Sequence, residues 1–381
     1  MSAVHHERYR PVTGTSFAVI GRRAVLFHEA RQLLFELNDR AAFAWCRIAD
    51  GATVDSVVAA VIDRGLPLPT ARRQVEEALS GWIDQGLLVA ATDVRRQRVL
   101  VGNRCVEICY GTDTLADIAE PEFRNLDAAN LDAANRAPDR RFDVVEQSGG
   151  FLLQTDGEDA VTGDCDELVP ALRAALMVDA LRSARYEVAV HAACMISGPN
   201  AVLISGSPGT GKSTLAVALA HAGFGHPGFG HPGFGYGGDD VALLHTDGRV
   251  TGLPFAPALK RGSWSLLAPY WPEIDDTPVH VRPHDRQDVR YLPTIPIAEP
   301  GPREVRWFVS LHRRDGSSPT LEPLDPIDAL REIIGGAFSQ DERLSTGAFR
   351  AIHRALASAE CVRLTYSDLD SAVDVLRGAC R

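Results

Sequence analysis

The stretch "AVLISGSPGTGKSTLAVAL", residues 201–219, contains an apolar run, a glycine-rich loop and a second apolar run. Its loop has the spacing Gly-x-x-x-x-Gly-Lys-Ser, which fits the Walker A pattern between a strand and a helix. The glycines let the backbone turn so that N–H groups point inward at phosphates. The N-terminus of the following helix adds a favourable dipole. The stretch therefore predicts an α/β domain with a phosphate-binding loop.

Two side chains of this loop have predicted roles of their own. Lys212 reaches the β- and γ-phosphates, and Ser213 offers its hydroxyl to Mg²⁺. Only two of the 39 Lys and Arg residues are lysines, so a chance match to the pattern is rare. We expect ATP and Mg²⁺ as cofactors. The predicted nucleotide-binding residues are Gly206, Ser207, Pro208, Gly209, Thr210, Gly211, Lys212, Ser213 and Thr214.

A pair of aspartates, Asp239 and Asp240, follows the loop after about one helix. Two adjacent carboxylates in a buried phosphate site repel each other unless a cation or a proton is shared between them. One can hold Mg²⁺ while the other accepts a hydroxyl proton. A solvent-exposed turn is the alternative interpretation of the pair.

A five-residue repeat, "GFGHPGFGHPGFGYG" at residues 223–237, separates the predicted helix from the aspartates. Glycine and proline every few residues exclude a helix and a regular strand. His226 and His231 have no nearby carboxylate or cysteine in the sequence, so a duplicated loop is favoured over a metal site.

Composition limits the possible partners. A chain of 381 residues has room for two or three domains. Its net charge of −11 argues against non-specific nucleic-acid binding. No apolar run is long enough to span a bilayer, and the N-terminus lacks a signal-peptide core. Seven scattered cysteines are typical of reduced thiols. We expect a cytoplasmic protein without a nucleic-acid or membrane partner.

The first 92 residues have the pattern of a small separate domain. Residues 17–37 predict three short strands. Asn38 and Thr53 are predicted to begin two helices, and a third follows at 70–86. Its stripe of Val75, Leu79, Trp82 and Ile83 lies on one face. The predicted domains are residues 1–92 and 93–381.

The segment "LFELNDRAAFAWCRIADGATVDSVVAAVI" and the later "VEEALSGWIDQGLLV" resemble the PqqD-like fold, a small winged-helix unit. The resemblance implies recognition of the leader of a ribosomally made precursor peptide, which adds as a strand to the sheet edge. An interaction module for another partner is the alternative. A DNA-binding function is less favoured, because the third helix carries acidic residues. The implied peptide-binding residues are Leu33, Leu34, Phe35, Glu36, Leu37, Val75, Leu79 and Trp82.

A second resemblance rests on "VHAACMISGPNAVLISGSPGTGKSTLAVAL" followed by "GGDDVALL". This order of histidine, Walker A loop and Asp-Asp pair is similar to the catalytic core of HPr kinase/phosphorylase. "LPFAPALKRGSW", "DVRYLP" and "LTYSDLDSAVDVL" extend the likeness to HPr-kinase-related proteins. The implied fold is α/β, α+β overall: a P-loop kinase domain related to phosphoenolpyruvate carboxykinase, with an N-terminal winged-helix domain.

The second resemblance implies site residues and a reaction, phosphoryl transfer from ATP or another phosphate donor to a serine or similar hydroxyl. It places catalytic roles on His191, Lys212, Asp239 and Asp240. Asp239 is assigned as general base and Asp240, with Ser213, to Mg²⁺, and the reverse order of the aspartates stays open. His191 is equally well explained as a structural histidine at a strand end. Lys260 is a further candidate for phosphate contact.

Together these features predict an ATP-dependent kinase of a precursor peptide that is captured by residues 1–92. Two alternatives remain. One is a regulatory kinase of a folded protein, and the other is a nucleotide-gated ATPase without phosphoryl transfer. The HPr-kinase resemblance also suggests a homo-oligomer. Arg282, Arg286 and Arg290 are candidates for a loop that closes over the phosphates, and surface salt bridges explain them equally well.

Overall fold

The computed structural model divides the chain into two compact units, each described here by itself. Unit 1 comprises Met1–Gln97, Glu107–Asp117 and Arg141–Gly163, and unit 2 comprises Arg98–Val106, Ile118–Arg140 and Asp164–Arg381. The predicted boundary between residues 92 and 93 stays a prediction. The structure describes residues 8–12, 14–29, 31–90, 95–127, 138–147, 149–155, 161–224, 233–338 and 343–380.

Unit 1 contains the three strands and three helices that the sequence predicts, and two short strands, Tyr9–Pro11 and Leu88–Ala90, that it did not. The Asn38 side chain accepts a hydrogen bond from the Ala41 amide at 2.9 Å, and Thr53 Oγ1 accepts from the Ser56 amide at 3.2 Å. Both caps satisfy amides that have no partner inside the helix. The elements are β1 (Tyr9–Pro11), β2 (Thr15–Ile20), β3 (Arg23–His28), β4 (Leu33–Leu37), α1 (Asp39–Ala49), α2 (Val54–Ile62), α3 (Leu68–Asp84) and β5 (Leu88–Ala90).

The core of unit 1 forms where the helices pack on one face of the sheet β2-β3-β4. Trp45 and Trp82 meet edge to face, with ring centroids 5.2 Å apart. Leu26 on β3 and Leu79 on α3 are fully buried beside them. The predicted stripe of α3 is therefore the face that the helix buries. The winged-helix assignment of this unit stays a prediction.

A second sheet follows β5 along the chain. The elements are β6 (Arg95–Val101), β7 (Arg104–Tyr110), α4 (Asp113–Ala119), a 3₁₀ helix (Glu120–Leu126), β8 (Arg140–Gln147), β9 (Gly150–Thr155) and β10 (Val161–Asp164). The strand order is β10-β9-β8-β7-β6. Strands β8 and β9 form a hairpin in which Gln147 pairs with Gly150. Between β6 and β7, Gly102 has a positive φ and turns the chain.

Unit 2 contains the remaining strands and helices. The elements up to residue 267 are a 3₁₀ turn (Cys165–Glu167), α5 (Leu168–Ser183), β11 (Val188–Val190), β12 (Ala193–Ser197), β13 (Asn200–Ser205), α6 (Lys212–Phe224), β14 (Gly235–Gly238), β15 (Ala242–Leu244), β16 (Val250–Gly252), β17 (Ala258–Lys260) and α7 (Arg261–Leu267).

The second half of unit 2 completes its sheets and ends on a helix. Its elements are a 3₁₀ turn (Pro272–Asp276), β18 (His280–Val281), β19 (Asp288–Tyr291), β20 (Glu304–Arg313), β21 (Thr320–Pro323), α8 (Pro326–Gly335), β22 (Ala337–Phe338), α9 (Thr346–Ala357), β23 (Glu360–Tyr366) and α10 (Leu369–Ala379).

The central sheet of unit 2 has the order β14-β12-β13-β20-β23-β21. Strands β13, β20 and β23 run parallel, and β12, β14 and β21 are antiparallel to their neighbours. Val202 and Ile204 of β13 pack in one apolar cluster with α6, while Leu203 packs in a second cluster with α9. Both faces are buried, which explains the continuous apolar run in β13. Unit 2 is thus a mixed α/β structure with mixed sheets.

Two smaller sheets, β16-β15-β11-β22 and β17-β19-β18, lie in the same unit. Strands β11 and β12 lie in different sheets, with His191 between them. The expectation that the repeat contains no regular strand is wrong at its end, since β14 begins at Gly235. The first two copies of the repeat, with His226 and His231, lie largely outside the described residues.

Among the helices that the structure describes, none has both the length and the apolar composition that crossing a membrane requires.

Candidate functional site

The glycine-rich loop joins β13 to α6 at the carboxyl edge of the parallel strands. Lys212 opens α6, and its side chain folds back so that Nζ donates to the Gly206 carbonyl oxygen at 2.7 Å. Thr210 Oγ1 donates to the Ser207 carbonyl oxygen at 2.8 Å. Lys212 is buried, and burial lowers the pKa of its ammonium group, an effect that the charge of Asp240 opposes.

A tyrosine from the end of β23 fixes the same loop. Tyr366 Oη donates to the Thr210 carbonyl oxygen at 2.5 Å, and this side chain is buried. Gly211 has a φ of +98°, and a Cβ added there would lie 2.5 Å from the Tyr366 hydroxyl oxygen. Only glycine therefore fits at position 211 without movement of the tyrosine.

Asp239 follows β14 directly and is buried at the start of α6. The Ser213 hydroxyl beside it lowers the pKa of its carboxylate. Tyr236 Oη lies 2.8 Å from Asp239 Oδ1 and 3.0 Å from the Phe255 carbonyl oxygen, so its one proton is shared between the two acceptors. Burial raises the pKa of Asp239, although the nearby charge of Arg173 lowers it.

Asp240 lies in a different environment, with 42 % of its side chain exposed. His191 Nδ1 lies 3.1 Å from Asp240 Oδ1 and 3.0 Å from the Asp240 carbonyl oxygen. Arg173 Nη1 lies 3.6 Å from Asp240 Oδ2. Burial raises the pKa of Asp240, but the hydrogen bond to His191 and the charge of Arg173 outweigh it and lower the pKa to about 2.

The predicted catalytic residues thus lie close together, and the two aspartates have different neighbours. Asp239 contacts the serine of the glycine-rich loop, and Asp240 contacts His191. From the sequence, Asp239 is the predicted general base and Asp240 the predicted Mg²⁺ ligand, with the reverse order open. This geometry favours the reverse, with Asp239 beside a cation and Asp240 beside an acceptor. The partly exposed carboxylate is the one that an incoming hydroxyl can reach.

Three further charged side chains act on Lys212 or on the aspartates. Glu332 on α8 accepts a hydrogen bond from Ser310 Oγ at 2.6 Å, and its charge raises the pKa of Lys212. The exposed Lys260 is close enough to lower that pKa. Arg173 is near both aspartates. Sequence reasoning missed Arg173 and Glu332, because each lies in an ordinary amphipathic or apolar helix without a motif.

The three arginines predicted to close over phosphates have other partners in this structure. Arg282 pairs with Asp285, and Arg286 with Glu167. Arg290 donates to the Ile274 carbonyl oxygen at 2.8 Å and stacks on Trp264, with its guanidinium carbon 4.3 Å from the ring centroid. Arg286 and Arg290 therefore join neighbouring segments of unit 2, and Arg282 stabilises its own turn.

The predicted peptide-binding residues divide into an exposed and a buried group. Val75, Leu79 and Trp82 lie in the core of unit 1, so in this structure they are not on a surface. Strand β4, which carries Leu33, Leu34, Phe35, Glu36 and Leu37, is one of the two edge strands of its sheet among the described strands, and β2 is the other. Leu33 and Leu34 are 47 % and 65 % exposed.

The loop and the aspartates have the donors that a phosphate group and a cation need. Amides at the start of α6 and the Lys212 ammonium are donors for phosphate oxygens. The oxygens of Ser213 and Asp239 suit a hard divalent cation. In the part of the chain that the structure describes, no cluster of three or more His, Cys, Asp or Glu side chains can hold a metal. A cation here would therefore depend on ligands from phosphate or water as well.

No family model matches the chain, and no curated protein matches it either. Solved structures show partial likeness. TbiB1 in complex with the TbiA(beta) leader peptide is 21 % identical over 21 % of this chain and 93 % of its own, with a TM-score of 0.20. Lasso peptide synthetase B1 complexed with the leader peptide is 20 % identical over 22 % and 98 %, with a TM-score of 0.21.

The third likeness covers a larger part of the chain. The Hpr(Ser) kinase/phosphatase from Coxiella burnetii is 14 % identical over 51 % of this chain and 93 % of its own, with a TM-score of 0.23. At these TM-scores the three likenesses carry no argument about mechanism, which is derived below from the residues of this chain.

Proposed function

We propose that this protein is an ATP-dependent kinase that transfers the terminal phosphoryl group to a hydroxyl side chain of a ribosomally made precursor peptide. The observation that carries the proposal is the different environment of the two neighbouring aspartates. One carboxylate is buried against the serine that begins the helix after the glycine-rich loop, and its neighbour is partly exposed and held by a histidine. Phosphoryl transfer needs these two functions side by side.

The donor site is formed by the loop and by Lys212. Backbone amides and the Lys212 ammonium bind the phosphates, for which Lys212 leaves the Gly206 carbonyl. Ser213 and Asp239 would hold Mg²⁺, which would supply positive charge to offset the charge of the phosphates. The residues fit this group, because the buried carboxylate of Asp239 lies beside the Ser213 hydroxyl and both are hard oxygen donors.

The acceptor site is formed by Asp240 and His191. The acceptor hydroxyl oxygen forms a bond to the terminal phosphorus while the bond to the leaving diphosphate breaks, and the hydroxyl proton passes to Asp240. An ionised Asp240 with a low pKa is a weak base. Little proton transfer is needed early, however, because the transition state of phosphoryl transfer is loose. His191 keeps the carboxylate oriented toward the acceptor.

The edge of β4 is the part of unit 1 that supports peptide capture. An extended leader peptide can pair with the outer side of this strand through main-chain hydrogen bonds. The exposed Leu33 and Leu34 offer apolar contacts on the two faces of the strand. Capture of the leader raises the effective concentration of the acceptor at the site.

The test is intact-mass spectrometry of candidate precursor peptides, encoded near this gene, after incubation with the full-length protein, ATP and Mg²⁺. We expect a gain of one phosphoryl group per acceptor. Lys212→Ala removes the donor-site charge and is expected to slow transfer by about 10²–10³-fold. Arg331→Ala is the matched control, since this arginine is 75 % exposed on α8 and pairs with Asp328.

Two results would contradict the proposal. Release of free phosphate without any mass gain in peptides that bind the protein would leave a nucleotide-gated ATPase. A mass gain on a folded protein substrate, with no gain on precursor peptides, would replace the peptide by a protein as acceptor.

A further inference from the structure

Arg173 occupies an unusual place beside the aspartate pair. It lies on α5, with 13 % of its side chain exposed, and its guanidinium carbon is 5.3 Å from the ring centroid of Phe255. Its charge acts on Asp239 and Asp240 alike. No motif in the sequence marks it, and α5 is a largely apolar helix.

The hydrogen-bond donors of Arg173 are poorly used in this arrangement. Nη1 is 3.6 Å from Asp240 Oδ2, which is beyond hydrogen-bond distance. The buried Nε atom has no hydrogen-bond partner among the described residues. An arginine committed to a carboxylate normally makes two parallel hydrogen bonds. A buried donor without an acceptor is unfavourable, so the guanidinium is better suited to another oxyanion than to Asp240 alone.

Charge balance indicates which oxyanion would suit it. The donor phosphates add negative charge to a site that already contains the two aspartates and Glu332, and Lys212 is the single buried lysine of this site. Transfer is fastest where cations meet the charge that spreads over the phosphoryl oxygens. The arginines of the 282–290 segment have other partners, and Lys260 is exposed.

We propose that Arg173 is a catalytic residue whose guanidinium donates hydrogen bonds to the oxygens of the phosphoryl group during transfer. This inference rests on the proposed function. Arg173 gives up no proton in the step: the acceptor oxygen gains the phosphorus, the leaving diphosphate keeps the bond electrons, and the hydroxyl proton passes to Asp240. Arg173 moves from Asp240 toward the phosphoryl group, which leaves the Asp240 carboxylate free for that proton.

The competing explanation is that Arg173 only holds Asp240 in place. The two explanations differ in when Arg173 matters for binding. A positioning residue affects the site in every state, whereas a contact to the transferred group exists only in the transition state or in its analogues. A complex of ADP with fluoroaluminate and Mg²⁺ imitates the transferred group and gives a readout other than turnover.

The experiment measures the affinity of the full-length protein for MgADP, with and without aluminium fluoride, by calorimetry. Arg173→Ala is compared with wild type and with Arg331→Ala. We expect Arg173→Ala to change MgADP affinity by less than about threefold but to remove about 100-fold of the affinity gained with fluoroaluminate. Adding guanidinium at millimolar concentration should restore part of that gain. Arg331→Ala should match wild type in both measurements.

Arg173→Lys is the control for the case in which Arg173→Ala fails to fold, since lysine keeps the positive charge but lacks the planar guanidinium group. It is expected to retain native circular dichroism and to bind fluoroaluminate less tightly than wild type. Equal losses for MgADP with and without fluoroaluminate, or no loss at all, would overturn the inference. A wild-type protein that gains no affinity with fluoroaluminate would overturn it as well. A wild-type protein that binds no nucleotide would instead contradict the proposed function itself.

Discussion

The glycine-rich loop of unit 2 and the strand β4 of unit 1 differ in whether their hydrogen-bonding groups have partners and in how exposed their side chains are. In and beside the loop, Lys212, Thr210 and Asp239 each have a hydrogen-bond partner, and Lys212 and Asp239 are buried. On β4, Leu33 and Leu34 are exposed, and no described strand pairs with the outer edge. The first region is organised before any ligand arrives. The second offers unpaired backbone and apolar surface, which is suited to recognition.

The comparison teaches where substitutions should act on rate and where they should act on affinity. Changes in the buried site alter groups with fixed partners, so they should affect the chemical step or the fold. Changes on β4 remove contacts that exist only with a bound peptide, so they should leave stability and the chemical step unchanged.

The largest effects are expected at the aspartate pair. Asp240→Asn removes the proton acceptor and should lower kcat by about 10²–10³-fold at saturating Mg²⁺. Asp239→Asn weakens the cation site and should raise the Mg²⁺ concentration needed for half-maximal rate, because a carboxylate ligand becomes a neutral amide. Rates measured across a Mg²⁺ titration separate the two. If Asp239→Asn lowers kcat at saturating Mg²⁺ and Asp240→Asn instead shifts the Mg²⁺ requirement, the roles are exchanged.

The sequence could predict the parts of this structure that depend on neighbouring residues. The caps at Asn38 and Thr53 and the strand-loop-helix around Lys212 follow from local spacing, and the structure has them. The strand β14, "GYGG", could not be predicted, because glycine disfavours strands. It forms because the backbone packs closely: a Cβ on Gly238 would lie 2.4 Å from the Leu253 carbonyl oxygen.

The sequence could predict only those residues of the candidate site that lie close together in one segment of the chain. The loop and the aspartates are close in sequence, and His191 precedes them by one hairpin. Arg173, Glu332 and Tyr366 come from α5, α8 and β23, and only the packed sheet brings them to the loop. The stripe on α3 was identified correctly as one face, but periodicity cannot tell whether a face meets the core or a partner. Here it meets the core.

An intermediate effect is expected at Gly211, which the tyrosine of β23 confines. Gly211→Ala places a Cβ 2.5 Å from Tyr366 Oη at a positive φ, so it should cost about 1–3 kcal/mol of unfolding free energy. It should also weaken nucleotide binding, since the loop must shift. Urea unfolding and calorimetry with MgATP measure the two effects.

Gly262→Ala is the matched control for this substitution. Gly262 lies within α7, where a Cβ added to it would have no neighbour within 4 Å, and it lacks a positive φ. The control should be neutral or slightly stabilising. A Gly211→Ala protein as stable as the control, with unchanged MgATP affinity, would show that Tyr366 does not confine the loop.

The smallest effect is expected from substitutions on β4. This effect tests the central claim, which is that β4 recognises the peptide and the buried site performs the transfer. The measurement is the rate of phosphoryl transfer to a precursor peptide, with and without its leader, by wild type and by Leu34→Glu. The account predicts that leader removal raises KM at nearly constant kcat. Leu34→Glu should raise KM about tenfold for the full peptide only. An unchanged KM on leader removal, or a fall in kcat with Leu34→Glu, would contradict it.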